Sequence, residues 1–295
     1  MNDACCAKAV RELLIEHGLK YNKSLGQNFL IDANIPEKLV RLSGIDESCG
    51  VLEVGPGLGA LTLVLARVAG RVTAVELDRR LLPVLRGTLA GLSNVEVVEG
   101  DILKLDLVKL TREKMPEWKL HVCANLPYNI TTPALTALIS TGLFESINVM
   151  VQREVAQRIC AKPGSPEYGA FSVYIDYHAE PDTLFDVPPE CFMPRPKVYS
   201  SVVKLTMRRK RLLKTDDEPV FFRVVRSAFG QRRKTLVNAL HATFGNTLSK
   251  ENISELVVKC GFDARVRGEK LGTGDFVELS KHFVTIVTNV TKVHE

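Results

Sequence analysis

The chain has 295 residues, 45% of them apolar and 25% charged, with a net charge of +5. That length buries one large domain plus a small one, and the balance excludes a fibrous or disordered chain. Seven cysteines at 5, 6, 49, 123, 160, 191 and 260 form no CxxC pair, and no basic start leads into an apolar run, so reduced thiols in a cytoplasmic protein are expected rather than disulfides, a zinc site or secretion.

Over the first two hundred residues, short valine-rich runs alternate with segments of helical period. Strands are expected at 50–54, 71–75, 95–98, 120–124 and 148–151, and helices at 60–68, 79–89, 105–114 and 133–140. This β-α alternation predicts an α/β domain with a parallel sheet covered on both faces, whose ligands bind at the carboxyl ends of the strands. The uncharged stretch 122–144 is long enough to cross a membrane, but Asn125, Pro127, Asn129 and Pro133 make it a buried strand, loop and helix. A basic run from Arg208 to Lys214, then Asp216, Asp217, Glu218 and Pro219, predicts a linker over 208–219 after a first domain of 1–207. Helical period at 220–244, 250–260 and 274–290, punctuated by Gly245, Gly261 and Gly272, predicts a small helical domain over 220–295. From 207 to 295 there are 17 Lys/Arg against 10 Asp/Glu, a net of +7, while the rest carries about −2. The excess positive charge on the helical part suits a polyanion such as nucleic acid.

Four motifs fall at the expected strand ends. Val51-Leu-Glu-Val-Gly55-Pro-Gly57-Leu-Gly59 runs an apolar strand into a glycine-rich turn, where missing Cβ atoms let backbone N–H groups approach a ligand. The turn also satisfies the dinucleotide pattern GxGxx(G/A), so it predicts a nucleotide-like cofactor without choosing one. Glu76 ends the next strand, where a carboxylate accepts hydrogen bonds from the ribose diol that NAD and S-adenosylmethionine share. Asp101 closes the third strand, placed to receive an adenine amino group. Alone, Glu76 also reads as an exposed acid at a strand end, and Asp101 equally well as a turn or cap residue; in order, they lay an adenosine along the strand ends. The fourth motif is Cys123-Ala-Asn125-Leu126-Pro127-Tyr128-Asn129. The Asn125 side-chain oxygen and the Leu126 carbonyl can accept the hydrogens of an aromatic amine, drawing its lone pair out of conjugation. Pro127 stiffens the loop and Tyr128 offers a flat face to a base. This is the chemistry of methylating an aromatic amine from a donor already activated by its sulfonium. Six histidines show no metal-ligand spacing, so no metal is expected.

Together with Leu25-Gly-Gln-Asn28-Phe-Leu30, Phe192-Met-Pro-Arg-Pro-Lys197-Val198 and Phe229-Gly-Gln-Arg-Arg-Lys234-Thr-Leu, these motifs resemble the KsgA family of small-subunit ribosomal RNA adenine dimethyltransferases, from about Lys20 to about Phe283. The resemblance implies a Rossmann-like class I methyltransferase sheet with a small C-terminal helical domain. It implies N6,N6-dimethylation of two adjacent adenosines in the 3′-terminal hairpin loop of 16S rRNA, with S-adenosylmethionine as donor. Carried over by motif, Asn28 and Leu30 border the cofactor, Gly55 meets its methionine part, Glu76 its ribose and Asp101 its adenine. Asn125 contacts both cofactor and target amine, and Tyr128 and Phe192 are the two aromatic faces around the base, with a place in the core the equal alternative for Phe192. Arg223, Arg226, Arg232, Arg233 and Lys234 form a phosphate-contacting stripe. The partner implied is the small ribosomal subunit, met by a monomer away from any membrane. Gly230 stands where the family often has a serine. The alternatives are a large-subunit rRNA methyltransferase of the macrolide-resistance type, and an assembly checkpoint that acts chiefly by binding immature small subunits.

Overall fold

The protein is described by a computed structural model over residues 5–22 and 25–292, so the last three residues of the expected helical domain lie outside the described residues. In chain order the elements are α1 (Ala7–Glu16), β1 (Phe29–Leu30), α2 (Asn34–Ser43), β2 (Cys49–Val54), α3 (Ala60–Val68), β3 (Arg71–Glu76), α4 (Leu82–Thr88), β4 (Val95–Glu99), α5 (Leu107–Lys114), β5 (Lys119–Asn125), α6 (Thr131–Ser140) and β6 (Ser146–Gln152). There follow α7 (Arg153–Ile159), α8 (Ala170–His178), β7 (Ala179–Val187), β8 (Phe192–Met193), β9 (Ser200–Met207), α9 (Glu218–Gly230), α10 (Leu236–Phe244), α11 (Lys250–Lys259) and α12 (Thr273–Lys292).

Seven strands form one sheet in the order β4-β3-β2-β5-β6-β9-β7, and β1 pairs with β8 in a separate two-stranded ribbon. All six residues of β2 are buried, as a central strand covered on both faces requires. On one face Val51, Val72 and Cys123 pack with Leu39 and Val40 of α2 and Leu61, Val64 and Leu65 of α3. The sheet is parallel from β4 through β6, but β9 runs antiparallel to β6, with Gln152 opposite Ser200. The sheet is therefore mixed, not wholly parallel as the alternation predicts: residues 153–207 contribute strands whose direction periodicity does not encode. One consequence positions the site. The carboxyl ends of β2 to β6 and the amino end of β9 share one edge of the sheet.

Two helices differ from expectation. Over 79–89 the chain makes a 3-10 turn at Arg79–Leu81, capped by the Asp78 side chain, before α4 begins with a proline in its first turn. Over 220–244 the single expected helix is two, because Thr235 starts α10 afresh by accepting a hydrogen bond from the Asn238 N–H.

The chain divides into two compact units: the first runs up to Ala156 and includes Pro181–Met207, and the second joins Gln157–Glu180 to the chain from Arg208 onward. The core of the second explains its membership. Tyr168, Val173 and Tyr177 are buried among Phe221, Val224, Leu236, Leu240 and Phe276, so 157–180 belong with the helices rather than with a first domain of 1–207. Nor is 208–219 a free linker. Arg208 pairs with Glu180 at 2.8 Å and donates to the Asp176 carbonyl at 3.0 Å, Arg211 pairs with Glu218 at 3.0 Å, and Leu213 is buried. Among the described residues no helix is long and apolar enough to cross a membrane, and no group of three or more His, Cys, Asp or Glu is placed to hold a metal.

Candidate active site

A cleft opens at the carboxyl edge of the sheet in the first unit, and its lining takes in the four motifs in order. Gly55, Gly57 and Gly59 all have positive φ, at 69, 61 and 89°, a region that side-chain-bearing residues rarely occupy. At Gly57 the requirement is double, since a Cβ there would stand 3.1 Å from the Phe29 ring. The bend leaves the Gly57 N–H donating to Glu76 Oε2 at 3.2 Å, while the Asp78 N–H donates to Glu76 Oε1 at 2.8 Å. Each Glu76 oxygen thus accepts one backbone hydrogen bond and keeps acceptor capacity for two vicinal hydroxyls. Burial raises the Glu76 pKa, and the N–H groups of Asp78 and Gly57 oppose that rise. Asp101 follows β4 and closes its own turn, accepting from the Leu103 N–H at 3.0 Å. Beside it, the half-exposed Leu77 and Leu103 and the buried Ile102 make apolar walls suited to an adenine ring.

The Asn125 loop lies across the cleft from the segment 25–30. The Asn125 Nδ2 donates to the Asn28 carbonyl at 3.1 Å, so the amide is oriented and its Oδ1 has no partner among the described residues. The Leu126 N–H donates to the Met150 carbonyl at 3.1 Å, which fixes the peptide that follows Asn125. Tyr128 lines the cleft, and its hydroxyl meets Ser200 Oγ at 2.6 Å, an anchor from β9 that periodicity in the Tyr128 region could not show. Gln27 links Asn22 to the loop after β3: its Nε2 donates to Asp78 Oδ2 at 2.9 Å and its Oε1 accepts from the Asn22 N–H at 2.9 Å. Asp78 is held below the usual carboxylate range chiefly by its hydrogen bonds from Arg80, with Gln27 adding to them.

Asn28, Leu30, Gly55, Glu76, Asp101, Asn125, Leu126 and Tyr128 all line this one cleft. Phe192 does not. It pairs opposite Leu30 in the β1–β8 ribbon and is 2% exposed, packed in the core. Sequence reasoning passed over Glu53, which is 1% exposed, lines the cleft and leaves Oε2 without a hydrogen bond among the described residues. The signal was there as the single charge in the apolar run 51–55.

The five expected RNA-contacting cations are all exposed in the second unit, but they are not equivalent. Arg223 lies 4.5 Å over the Phe244 ring and donates to the Thr243 carbonyl, and Arg232 donates to the Pro166 carbonyl and pairs with Glu269 at 3.6 Å. Arg226, Arg233 and Lys234 have no side-chain ion pair among the described residues.

Comparison with known proteins places these features in a wider set. The chain matches the family described as ribosomal RNA adenine dimethylase over residues 18–290. It is 47% identical over 270 residues to ribosomal RNA small subunit methyltransferase A of Shouchella clausii, covering 91% of each chain. To the Geobacillus kaustophilus protein of the same name it is 44% identical over 273 residues, covering 92% of this chain and 93% of that one. Among solved structures it resembles a dimethyladenosine transferase from Plasmodium falciparum, with a TM-score of 0.74 and 26% identity over 88% of this chain and 98% of the other. It shares a fold with the 23S rRNA methyltransferase ErmE, at a TM-score of 0.69 and 24% identity over 86% of this chain and 98% of the other.

Proposed function

The chain belongs to the ribosomal RNA adenine dimethylase family, and on that premise we propose that it dimethylates N6 of two adjacent adenosines in the 3′-terminal hairpin loop of 16S rRNA. It is an S-adenosylmethionine-dependent rRNA adenine methyltransferase with a Rossmann-like class I sheet and a helical C-terminal region. Bound S-adenosylmethionine supplies a methyl group made electrophilic by its sulfonium sulfur.

The residues fit that donor. Glu76 presents two oxygens to the ribose hydroxyls, Asp101 stands at the adenine edge between Ile102 and Leu103, and the Gly55–Gly59 turn keeps side chains away from the methionine portion, with Asn28 and Leu30 bordering it. One observation carries the acceptor assignment: the Asn125 amide is tied by its nitrogen to Asn28, which leaves its oxygen to accept a hydrogen. Asn125 Oδ1 and the Leu126 carbonyl hold the two N6 hydrogens, so the nitrogen lone pair leaves conjugation and aims at the methyl; N6 would gain the methyl as the methyl–sulfur bond breaks to a neutral thioether, and one N6 proton would be released to solvent. Tyr128, anchored through Ser200, stacks on the base. Catalysis is positioning and electrostatics, with water excluded by the apolar walls. In the second transfer only one N6 hydrogen remains, and one of the two acceptors is released.

The basic second unit supplies the RNA-binding surface, with Arg226, Arg233 and Lys234 on phosphates and Arg223 and Arg232 bracing the surface from which they project. The protein works as a monomer in the cytoplasm, with the small ribosomal subunit as partner. The test is mass spectrometry of nucleosides after purified unmethylated small subunits, or large subunits, are incubated with the protein and labelled donor. N6,N6-dimethyladenosine is expected only from small subunits, with the active species a single protomer by light scattering. Methylation confined to the large subunit would reverse the substrate assignment.

Glu76→Ala is expected to weaken donor binding by about 3 kcal/mol, roughly a hundredfold, because two hydrogen bonds to a charged acceptor are lost. Isothermal titration with S-adenosylmethionine reads this directly; an affinity within threefold of the parent contradicts the ribose assignment.

A further inference from the structure

Next to the target-base loop, at the same edge of the sheet, stands an exposed apolar pair, one aromatic and one aliphatic, whose side chains neither the core nor the cleft uses. Tyr199 and Val198 precede β9 and are each 46% exposed. Two adjacent large side chains left in solvent are more than the single exposed apolar residues that need no explanation. Tyr199 is held in place. Its carbonyl accepts from the Arg153 N–H at 3.0 Å, and the Arg153 guanidinium lies 5.8 Å from the centre of its ring. Arg153 is steadied by Asp186 at 3.6 Å, which itself accepts from Ser201 Oγ at 2.6 Å. The next residue, Ser200, is the one whose hydroxyl meets Tyr128 at 2.6 Å. Consecutive Cα atoms are about 3.8 Å apart, so the Tyr199 backbone stands within a nucleotide step of the residue that anchors the base-stacking tyrosine.

We propose that Tyr199, with Arg153 packed beside it, is a stacking platform for the unpaired nucleotide adjacent to the adenosine in the cleft. The proposal rests on the rRNA reading above, and the chemistry follows from it. A substrate with two adjacent target adenosines in a loop sends one base into the cleft and leaves its neighbour unstacked outside. An exposed aromatic ring with a guanidinium at its side takes such a base with little regard to its identity. Lys197 and Arg195, both exposed and two and four residues before Tyr199, add positive charge where the RNA backbone passes; Arg195 is partly neutralised by Glu190. Holding the neighbour favours processing both adenosines in one encounter.

Because Tyr199 is exposed, its replacement leaves the fold intact, and melting curves of the variants are expected to overlay that of the parent. Steady-state methylation of unmethylated small subunits is then measured for the parent, Tyr199→Ala and Tyr199→Trp. The alanine variant is expected to raise KM for the subunit roughly tenfold, the scale of one lost base–aromatic stack, with kcat and donor affinity unchanged. The tryptophan variant is expected to restore KM to within about twofold of the parent, since an indole offers at least as large a face. A KM for the alanine variant within twofold of the parent overturns the proposal, as does a tryptophan variant no better than alanine. If the parent itself does not methylate small subunits, the rRNA reading falls and this inference with it. If only the variants match the parent, the platform alone is refuted.

Discussion

Asn125→Ala is expected to lower methyl transfer by roughly two to three orders of magnitude, the loss typical of removing one preorganised polar contact from a transition state. The amide does two jobs that no neighbour can assume. Its nitrogen is committed to the Asn28 carbonyl at 3.1 Å, which holds segment 25–30 against the loop, and in the proposed reaction its oxygen takes the amine. Alanine removes the acceptor that pulls the N6 lone pair out of conjugation, so kcat falls while donor affinity, set mainly by Glu76 and the glycine turn, changes only a fewfold. Single-turnover transfer on saturated small subunits, with donor affinity measured separately, distinguishes the two. A kcat within fivefold of the parent refutes the role. The same variant separates catalysis from assembly: if subunit maturation in cells proceeds normally with the silent protein, binding carries the biological task.

Glu53→Gln has the second large effect, on stability and its pH dependence. Burial beneath the cleft pushes the Glu53 carboxyl up to about 8; the Thr62 hydroxyl beside it works in the opposite direction and the charge of Glu76 adds to the rise. The unfolded chain releases this proton near its ordinary value of 4.5. Between those values the folded protein binds more protons than the unfolded one, so stability falls as pH climbs from about 4.5 to about 8 and the loss is complete above that. Glutamine keeps the shape of the protonated acid and cannot ionise. The variant should therefore match the parent near pH 4.5 and become more stable above pH 8, by several kcal/mol, roughly 1.4 per pH unit crossed. Urea denaturation at pH 5, 7 and 9 checks this; parallel stability curves would show that Glu53 is not the buried proton carrier. The likeness of Glu53 to its neighbour Glu76 is superficial. Glu76 has two backbone donors to sustain its charge, and Glu53 Oε2 has no partner among the described residues.

The amino-acid sequence by itself determined the order of the cleft. Gly55, Glu76, Asp101 and Asn125 each sit within a short motif at the end of an apolar run, and a parallel sheet necessarily brings such ends to one edge, so local patterns sufficed to assemble these four with Leu126 and Tyr128, while Asn28 and Leu30 entered through the family resemblance. Element types followed from period, although cap chemistry at Thr235 and the proline after Leu82 divided segments that periodicity ran together. What only the tertiary structure decided are the relations that join distant parts of the chain. Phe192 pairs opposite Leu30 and is buried in the core, aromatic packing draws 157–180 into the helical unit, and Arg223 and Arg232 take partners of their own, the Phe244 ring and the Pro166 carbonyl. Glu53 was in plain view in the first motif, yet its protonated state depends on dry burial that no motif states. Tyr199 became a candidate platform only because β9 returns antiparallel beside β6 and brings Ser200 onto Tyr128, 72 residues away in sequence. Local sequence encodes what a residue can do; burial and partner choice depend on contacts across the chain, and those decide which of its possible roles it performs.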